Sequence, residues 1–480
     1  MYREGVSAPD STIGPPAGLL VEITSRCNLV CRMCPLTTGL TPSSEQPGPM
    51  ADPVWTAIVR FARQAGHVNI GGYGEPLLNP NCLDYLRTLD REGVRTTLTT
   101  NGTLVTPAIA AGLAELPHLV SVNISIDSPD PAIYKSIRGG SVDKALSGVG
   151  LLAAALRPSQ LTVSSVMMRS TMDSLPAFPA RLATIGVRTY VLQGLVDYAP
   201  GLEPEELHWR DGLARHVELM KQAAEAAGTS VVFELPERVA AEMRDPVDVA
   251  REAAAVPTPH EVTDTKQCFA PWDTPVFDKD GRVFPCCYAM THASAVLGNV
   301  KETSPEAIWQ GEKFEAFRAA IVDGRTLPDV CRQCTVVPTG PHPLRLYSTK
   351  LLLDRSTLAG TTAMILAVRN AGARTWTRDD RVYLGTAAPR DGDSAFYDAT
   401  WIGRNRICSF REDQVPPGGT ATFVFIVNPA DGVETESFQI VVEGQCWVPG
   451  TLFQIRPEQP HLAPSAPKTL LARLRTRLGF

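Results

Sequence analysis

The sequence has no long apolar run and no strong excess of charge of either sign. No stretch approaches the roughly 20 consecutive apolar residues that span a bilayer, so we expect no membrane-spanning helix. A formal net charge of −6 over 480 residues provides no general basic field, so nucleic acid is not an expected partner. Residues 1–17 have neither a basic start nor an apolar core, so we expect no signal peptide.

Cysteine is scarce outside two groups. Three of the eleven cysteines lie between residues 27 and 34, and five lie between residues 268 and 334. Groups of this kind, in a chain without an export signal, are typical of metal binding and not of a disulfide framework. We therefore expect a reducing, cytoplasmic location. Cys82, Cys408 and Cys446 belong to neither group.

The first cysteine group lies in the stretch from Glu22 to Pro35. Cys27, Cys31 and Cys34 have the spacing C-x3-C-x2-C, and the apolar residues 19–23 predict a buried strand that leads into this loop. Structural zinc takes four ligands, whereas three thiolates on a [4Fe-4S] cube leave one iron open to a small molecule. The spacing therefore favours a cluster over a zinc ion.

This motif resembles that of the radical S-adenosylmethionine (SAM) enzymes, and the resemblance extends from about Leu19 to Cys334. It implies that the open iron binds the amino and carboxylate groups of SAM. It also implies that the reduced cluster cleaves SAM to a 5′-deoxyadenosyl radical, which takes a hydrogen atom from the substrate. A flavodoxin- or ferredoxin-type protein is the reductant that the resemblance implies.

Strand and helix patterns alternate from Leu19 to about Asp197. Such alternation predicts a parallel sheet with right-handed crossovers. The resemblance implies an α/β fold, a partial (β/α)6 barrel with its chemistry at the carboxyl ends of the strands. Residues 206–227 have helical spacing within a variable connection. The predicted strands are residues 19–23, 67–70, 95–99, 119–126, 161–168 and 189–193.

Glycines and polar residues follow these predicted strands. The sequence Gly-Gly-Tyr-Gly-Glu-Pro at residues 71–76 resembles the family motif that grips the SAM amino group, and glycines allow a backbone to approach a ligand closely. The resemblance also implies contacts to ribose, to the SAM carboxylate and to adenine. Turn chemistry or packing is the alternative for each residue. The predicted SAM-binding residues are Met33, Gly72, Gly74, Glu75, Asn101, Ser125 and Arg138.

The second cysteine group surrounds a predicted hairpin. Residues 276–277 and 282–284 flank Asp280-Gly281, which is a strong hairpin signal. The cysteine spacings fit either zinc or a second Fe–S cluster. The segment resembles the twitch form of the SPASM domain, a small α+β domain that holds one auxiliary [4Fe-4S] cluster. The ligands that this resemblance implies are Cys268, Cys286, Cys331 and Cys334.

Cys287 is the spare cysteine of the second group. Neighbours on a strand face opposite sides, so Cys287 should face away from a cluster that Cys286 ligates. Three interpretations stay open: packing as a small apolar residue, exchange with Cys286 as the ligand, and donation of hydrogen to a substrate radical. Cys82 is the rival hydrogen donor.

Short alternating strands from about Tyr347 predict an all-β, Ig-like sandwich. Trp376, Trp401 and Trp447 suit either a binding surface or a tryptophan-rich core. The predicted domains are a radical SAM core at residues 1–255, the auxiliary-cluster domain at 256–345, the sandwich at 346–458 and a tail at 459–480.

The resemblance leads us to expect an oxidoreductase that takes hydrogen from a carbon of a sugar, cyclitol or related natural product. The outcome would be oxidation, as in a dehydrogenase, or inversion, as in an epimerase, of a small-molecule or glycosidic substrate. A peptide-modifying maturase is the alternative, although the sequence has no recognisable leader-peptide-binding module. A non-catalytic Fe–S scaffold with a carbohydrate-binding β-sandwich is an alternative of another class. The intact Cys27, Cys31, Cys34 and Glu75 argue against it.

Overall fold

The chain forms two compact units. We describe a computed structural model, in which one unit comprises Pro15–Gly340 and the other comprises Met1–Gly14 with Pro341–Phe480. The predicted tail at residues 459–480 lies outside the described residues. The described residues are 14–196, 198, 202–207, 213–234, 266–324, 326–334, 336–337, 349–358, 361–387, 390–427, 436–448 and 451–455.

One ten-stranded sheet forms the centre of the first unit. Seven of its parallel strands pair in chain order, each with the next. The six predicted strands are present with closely similar bounds, and the α/β prediction is confirmed. The parallel strands are β1 (Leu19–Val21), β2 (His67–Ile70), β3 (Arg95–Thr100), β4 (Leu119–Ser125), β5 (Leu161–Met167), β6 (Thr189–Gly194) and β7 (Ser230–Glu234).

The predicted hairpin joins the same sheet. Strands β8 (Val276–Phe277) and β9 (Arg282–Phe284) are antiparallel, and β10 (Gly298–Asn299) pairs with β9. Strand β8 also runs parallel to β1, because Leu20 aligns with Val276. The second cysteine group is therefore built onto the edge of the barrel sheet, beside the strand that leads into the first group.

The longer helices of the first unit bury apolar residues along one side. In α1, the residues Val54, Ile58 and Phe61 are buried at helical spacing, and Gly66 ends the helix in the left-handed conformation. Among the described helices, none combines the length and apolar character needed to cross a bilayer. The helices are α1 (Asp52–Ala65), α2 (Cys82–Arg91), α3 (Pro107–Ala114), α4 (Pro131–Arg138), α5 (Val142–Ala155), α6 (Phe178–Ile185), α7 (Leu213–Ala227), α8 (Ala270–Asp273), α9 (Pro305–Trp309), α10 (Glu312–Asp323) and α11 (Asp329–Gln333).

The described part of the second unit is all-β, as predicted. Its sheets have the orders β11-β12-β17, β13-β16 and β15-β14-β18-β19, with β20 also on β18. Trp376 and Trp401 are buried, which favours the core interpretation for these two. The Ig-like assignment stays a prediction. The strands are β11 (Thr349–Leu358), β12 (Thr361–Asn370), β13 (Trp376–Thr377), β14 (Val382–Thr386), β15 (Arg406–Ser409), β16 (Gln414–Val415), β17 (Thr420–Val427), β18 (Glu436–Val442), β19 (Cys446–Trp447) and β20 (Phe453–Ile455).

Candidate functional site

The first cysteine loop lies at the carboxyl end of β1 and is held by the end of α4. The backbone N–H groups of Val30 and Arg32 donate to the carbonyl oxygens of Arg138 (3.1 Å) and Ile137 (2.9 Å). A Cβ atom at Gly140 would lie 2.5 Å from a Leu29 methyl group, so the Leu29 side chain would have to shift to admit it. The three cysteines are thus fixed on one half-buried loop.

Burial raises the pKa of all three thiols of the first cysteine group. It raises the pKa of Cys31 to about 12, although the nearby Arg138 lowers it. Burial also raises the pKa of Cys27 and of Cys34. Iron binds thiolates, so loading must displace these protons, and positive irons then balance the buried negative charge. Three such thiols on one loop fit a [4Fe-4S] cluster.

The glycine loop after β2 packs against the chain around the first cysteines. Gly72 has φ +119°, and a Cβ atom there would lie 2.8 Å from Glu22 Cβ. A Cβ atom at Gly74 would overlap the Thr24 carbonyl oxygen. We expected these glycines to let the backbone approach a ligand. The structure shows a further reason for them, because both are needed for the loop to pack onto residues 22–26.

Glu22 is a buried acid that sequence reasoning missed. Its Oε1 accepts the Tyr73 N–H at 3.0 Å, while no described side chain or backbone group bonds its Oε2. Burial raises the pKa of Glu22 to about 7. The sequence does contain a sign of this buried acid, because Glu22 is a charged residue within the apolar run 19–23 that predicts a buried strand. Glu22 fixes the position of the glycine loop.

Glu75 has most of its hydrogen-bonding capacity committed within the protein. Its Oε1 accepts from Leu77 N (3.1 Å) and Thr100 Oγ1 (2.6 Å), and its Oε2 accepts from Asn101 N (2.7 Å). A carboxylate offers about four acceptor positions, so one stays available for an ammonium group. Burial raises the pKa of Glu75, whereas these bonds lower it.

Arg138 is paired with a carboxylate that sequence reasoning did not assign to it. Its Nε donates to Asp127 Oδ2 at 2.6 Å, and its Nη2 donates to Asp127 Oδ1 at 3.1 Å. Asp127 also accepts the Val166 N–H at 2.9 Å. Burial lowers the pKa of Arg138, but Asp127 and Cys31 raise it, and the net direction is upward. Three of the five Arg138 N–H donors remain for other partners.

A cavity of about 300 Å³ brings all the residues predicted for the first cluster and for SAM together. Asn101 presents its side chain there while it bonds Asn28 and Thr103. Met33 is also part of a buried apolar cluster. The lining includes Cys27, Cys31, Cys34, Met33, Gly72, Gly74, Glu75, Asn101, Ser125 and Arg138, as well as Tyr73, Thr99, Thr100, Val166, Gln193 and Tyr198, which were not predicted. This set of thiols, acid, base and glycines fits a cluster with bound SAM.

The cysteines of the second group also lie together. Burial raises the pKa of Cys268 to about 11 and of Cys331 to about 12, and repulsion between neighbouring thiolates adds to both. The pKa of Cys286 is raised by burial and then by Cys287, Cys268 and Cys331. Among the described residues, no three His, Cys, Asp or Glu side chains are arranged to hold a single metal ion. In a cubane each cysteine ligates a different iron, so four cysteines that lie near one another can hold one cluster.

The strand argument for Cys287 is wrong. Strand β9 ends at Phe284, and Cys287 has helical backbone angles of φ −64° and ψ −37°. Alternation of strand faces therefore does not apply to Cys286 and Cys287, and either can serve as the fourth ligand. The rival donor Cys82 is buried at the first residue of α2 and is not among the described residues that line the two cavities.

A second cavity of about 460 Å³ shares Met33, Val166, Gln193 and Tyr198 with the first. Most of its remaining wall is apolar. Its one charged group among the described residues is Glu234, which accepts the Gln193 side-chain amide at 2.7 Å. Strand β7, which ends at Glu234, was not predicted, although its Ser-Val-Val-Phe-Glu sequence contains a short run of β-branched and aromatic residues.

Two family models match the two cysteine regions. The radical SAM superfamily model matches residues 21–177, and SPASM, an iron-sulfur cluster-binding domain, matches residues 268–335. The chain contains a radical SAM domain followed by a SPASM domain. This radical SAM enzyme uses SAM and two [4Fe-4S] clusters. The interpretation of the second cysteine group as an Fe–S site and not a zinc site is thereby settled.

Several curated proteins similar to this radical SAM enzyme are peptide cyclases. A PqqA peptide cyclase of Rhizobium meliloti (strain 1021) is 26% identical over 327 residues, covering 67% of this chain and 80% of that protein. One of Streptomyces rochei is 27% identical over 333 residues, covering 68% and 83%. An AdoMet-dependent heme synthase of Methanosarcina barkeri (strain Fusaro / DSM 804) is 26% identical over 330 residues, covering 65% and 86%.

A solved structure shares the fold. The crystal structure of Streptococcus suis SuiB bound to precursor peptide SuiA has a TM-score of 0.50 and 14% identity, over 67% of this chain and 71% of that chain. The expected sugar or cyclitol substrate, with dehydrogenase or epimerase chemistry, is wrong, because the PqqA relatives are peptide cyclases.

Proposed function

We propose that this radical SAM enzyme modifies a peptide. The observation that carries the proposal is the match to PqqA peptide cyclases, which spans about two thirds of this chain and four fifths of those proteins. A match of that extent includes more than the SAM-cleaving domain. The substrate chosen by those relatives is therefore the best guide to the substrate of this chain.

The second cavity supports a peptide substrate on physical grounds. It shares a wall with the proposed SAM cavity, so a group bound there can approach the atoms of SAM. Its lining includes Leu195, Val196 and Val336, which provide little compensation for buried sugar hydroxyl groups. An apolar or aromatic peptide side chain suits such a wall better, while the Gln193–Glu234 pair can bond a peptide amide.

The residues around the first cavity have distinct proposed roles. When bound, the first cluster supplies the electron that cleaves SAM, and the auxiliary cluster exchanges electrons during product formation. Cys27, Cys31 and Cys34 hold the first cluster. The free acceptor position of Glu75 takes the SAM ammonium group, and the remaining donors of Arg138 take its carboxylate. A cytoplasmic location and a flavodoxin- or ferredoxin-type reductant are part of the proposal.

The proposal is tested with peptides encoded beside the gene. Anaerobic, reconstituted protein is incubated with SAM, dithionite and each synthetic peptide, and the peptides are analysed by mass spectrometry. A cyclisation that joins two atoms of one peptide removes two hydrogen atoms, so the modified peptide becomes lighter by that mass. Unchanged peptides together with a consumed tetrapyrrole, the substrate class suggested by the heme synthase relative, would contradict it.

A further inference from the structure

Tyr73 lies between the two proposed cluster sites and contacts both. Its backbone belongs to the SAM loop, where its N–H donates to Glu22 and its carbonyl oxygen lies 4.0 Å from Cys34 Sγ. Its hydroxyl donates to the Cys287 carbonyl oxygen at 3.0 Å. One residue of the SAM loop is therefore bonded to the segment that carries Cys286 and Cys287.

Two more tyrosines extend this contact across the auxiliary site. The rings of Tyr73 and Tyr198 meet edge to face with centroids 5.8 Å apart, and Tyr198 stacks on Tyr288 at 5.2 Å. The Tyr288 hydroxyl donates to the Gln333 carbonyl oxygen at 3.2 Å, next to Cys334. The chain Tyr73–Tyr198–Tyr288, here called the tyrosine bridge, thus reaches both halves of the second cysteine group.

The SAM loop is held on its other side by residues 22–26. Gly72 and Gly74 are pressed against residues 22–26, and the Glu75 N–H donates to the Arg26 carbonyl oxygen at 2.8 Å. The Cys287 and Gln333 carbonyl oxygens, in contrast, belong to short segments next to the proposed auxiliary ligands. Cluster loading orders such segments, because metal sites hold their ligand loops in place.

We propose that Tyr73 is a positioning residue through which the auxiliary site stabilises the SAM-binding loop. When the auxiliary cluster is bound, the acceptors of the Tyr73 and Tyr288 hydroxyls are fixed. The bridge then holds Tyr73, and with it Gly72, Gly74 and Glu75, in the geometry that binds SAM. When the auxiliary cluster is lost, the acceptors move and SAM binding weakens. By linkage, bound SAM must also stabilise the auxiliary site.

The test is a double-mutant cycle on SAM affinity, measured by calorimetry on anaerobic protein with an unreduced cluster. The four proteins are the parent chain, Tyr73→Phe, Cys331→Ala with Cys334→Ala, and all three changes together. Loss of the auxiliary ligands should weaken SAM binding at least about fivefold in the parent chain but less than about twofold in the Tyr73→Phe background. Iron analysis should find about four atoms in the cysteine variants, which shows that the first cluster is retained.

A second variant keeps every cysteine in place. Tyr288→Phe removes only the hydroxyl bonded to Gln333 O, and it should also weaken SAM binding. Tyr85→Phe is the matched control, because the Tyr85 hydroxyl is bonded to Met50 and Asp52, away from the bridge. An equal effect of the cysteine changes in both backgrounds, an unchanged SAM affinity in Tyr288→Phe, or an equal loss in Tyr85→Phe would overturn the proposal. None of these readouts requires a peptide, so they are independent of the proposed substrate.

Discussion

Asp127 and Arg138 form a buried, two-bond ion pair at the edge of the proposed SAM cavity. The side chain of Asp127 has no exposed surface, and that of Arg138 is 11% exposed. The pair links the carboxyl end of β4 to the end of α4, which in turn holds the first cysteine loop. The same contact therefore serves both the barrel and the cluster site.

We expect Asp127→Asn to destabilise the first unit strongly. Removal of one partner of a buried ion pair leaves an uncompensated charge and costs about 3–5 kcal/mol. The free energy of unfolding is measured by urea titration followed by circular dichroism. Asp143→Asn is the control, since its pair with Arg181 is exposed and should contribute less than about 1 kcal/mol. Similar effects of the two changes would contradict this account of the pair.

The buried carboxyl of Glu22 should make stability depend on pH. Its pKa is raised by burial from 4.5 to about 7, so the folded chain holds a proton that the unfolded chain releases. Stability is then highest below the unfolded pKa and falls as pH rises through about 7. A pKa difference of about 2.5 corresponds to about 3 kcal/mol in total.

Glu22→Gln should remove that dependence while its Oε1 still accepts the Tyr73 N–H. Urea unfolding of both proteins from about pH 5 to about pH 8 measures the effect, and the variant should gain stability relative to the parent chain as pH rises. A constant difference between the two proteins across this range would show that Glu22 does not titrate there.

Gly74→Ala should disrupt the SAM loop. The added Cβ atom overlaps the Thr24 carbonyl oxygen, and overpacking of this kind costs about 1–3 kcal/mol. SAM affinity, measured by equilibrium dialysis, should fall by roughly tenfold or more. Gly48→Ala is the control, because a Cβ atom there meets nothing within 4 Å. An unchanged SAM affinity in Gly74→Ala would show that the loop does not bind SAM.

The two cysteine groups should contribute separate clusters. Anaerobically reconstituted protein should contain about eight iron atoms, and Cys331→Ala with Cys334→Ala should reduce this to about four. The latter variant should still cleave some SAM but release no modified product, whereas alanine at Cys27, Cys31 and Cys34 should abolish cleavage. Equal SAM cleavage by both variants would mean that the SAM-binding cluster is placed in the wrong group.

Local patterns in the sequence were sufficient for the first six parallel strands, and the family resemblance indicated the SAM-binding residues. The carboxyl ends of parallel strands meet at one edge, so Glu75, Asn101 and Ser125, which follow or end three successive strands, had to lie together. These three residues line the first cavity, together with Met33, Gly72, Gly74 and Arg138. Their individual roles stay predictions.

Contacts between residues far apart in the chain could not be predicted from the sequence. Asp127 is eleven positions from Arg138 on a different element, and neither spacing nor periodicity indicates that pairing. The attachment of β8 to β1 joins residues far apart in the chain, and the tyrosine bridge depends on it. The second cavity was also beyond local patterns, because Leu195, Glu234 and Cys287 contribute to its wall from separate segments of the chain.

The most direct test of the central claim is the transfer of deuterium from a peptide to SAM-derived product. Reconstituted protein is incubated with SAM, dithionite and a deuterated peptide encoded beside the gene, and 5′-deoxyadenosine is analysed by mass spectrometry. We predict 5′-deoxyadenosine that carries one deuterium atom, together with a modified peptide. Formation of 5′-deoxyadenosine without deuterium, at a rate that no peptide increases, would contradict the proposal that this radical SAM enzyme acts on peptides.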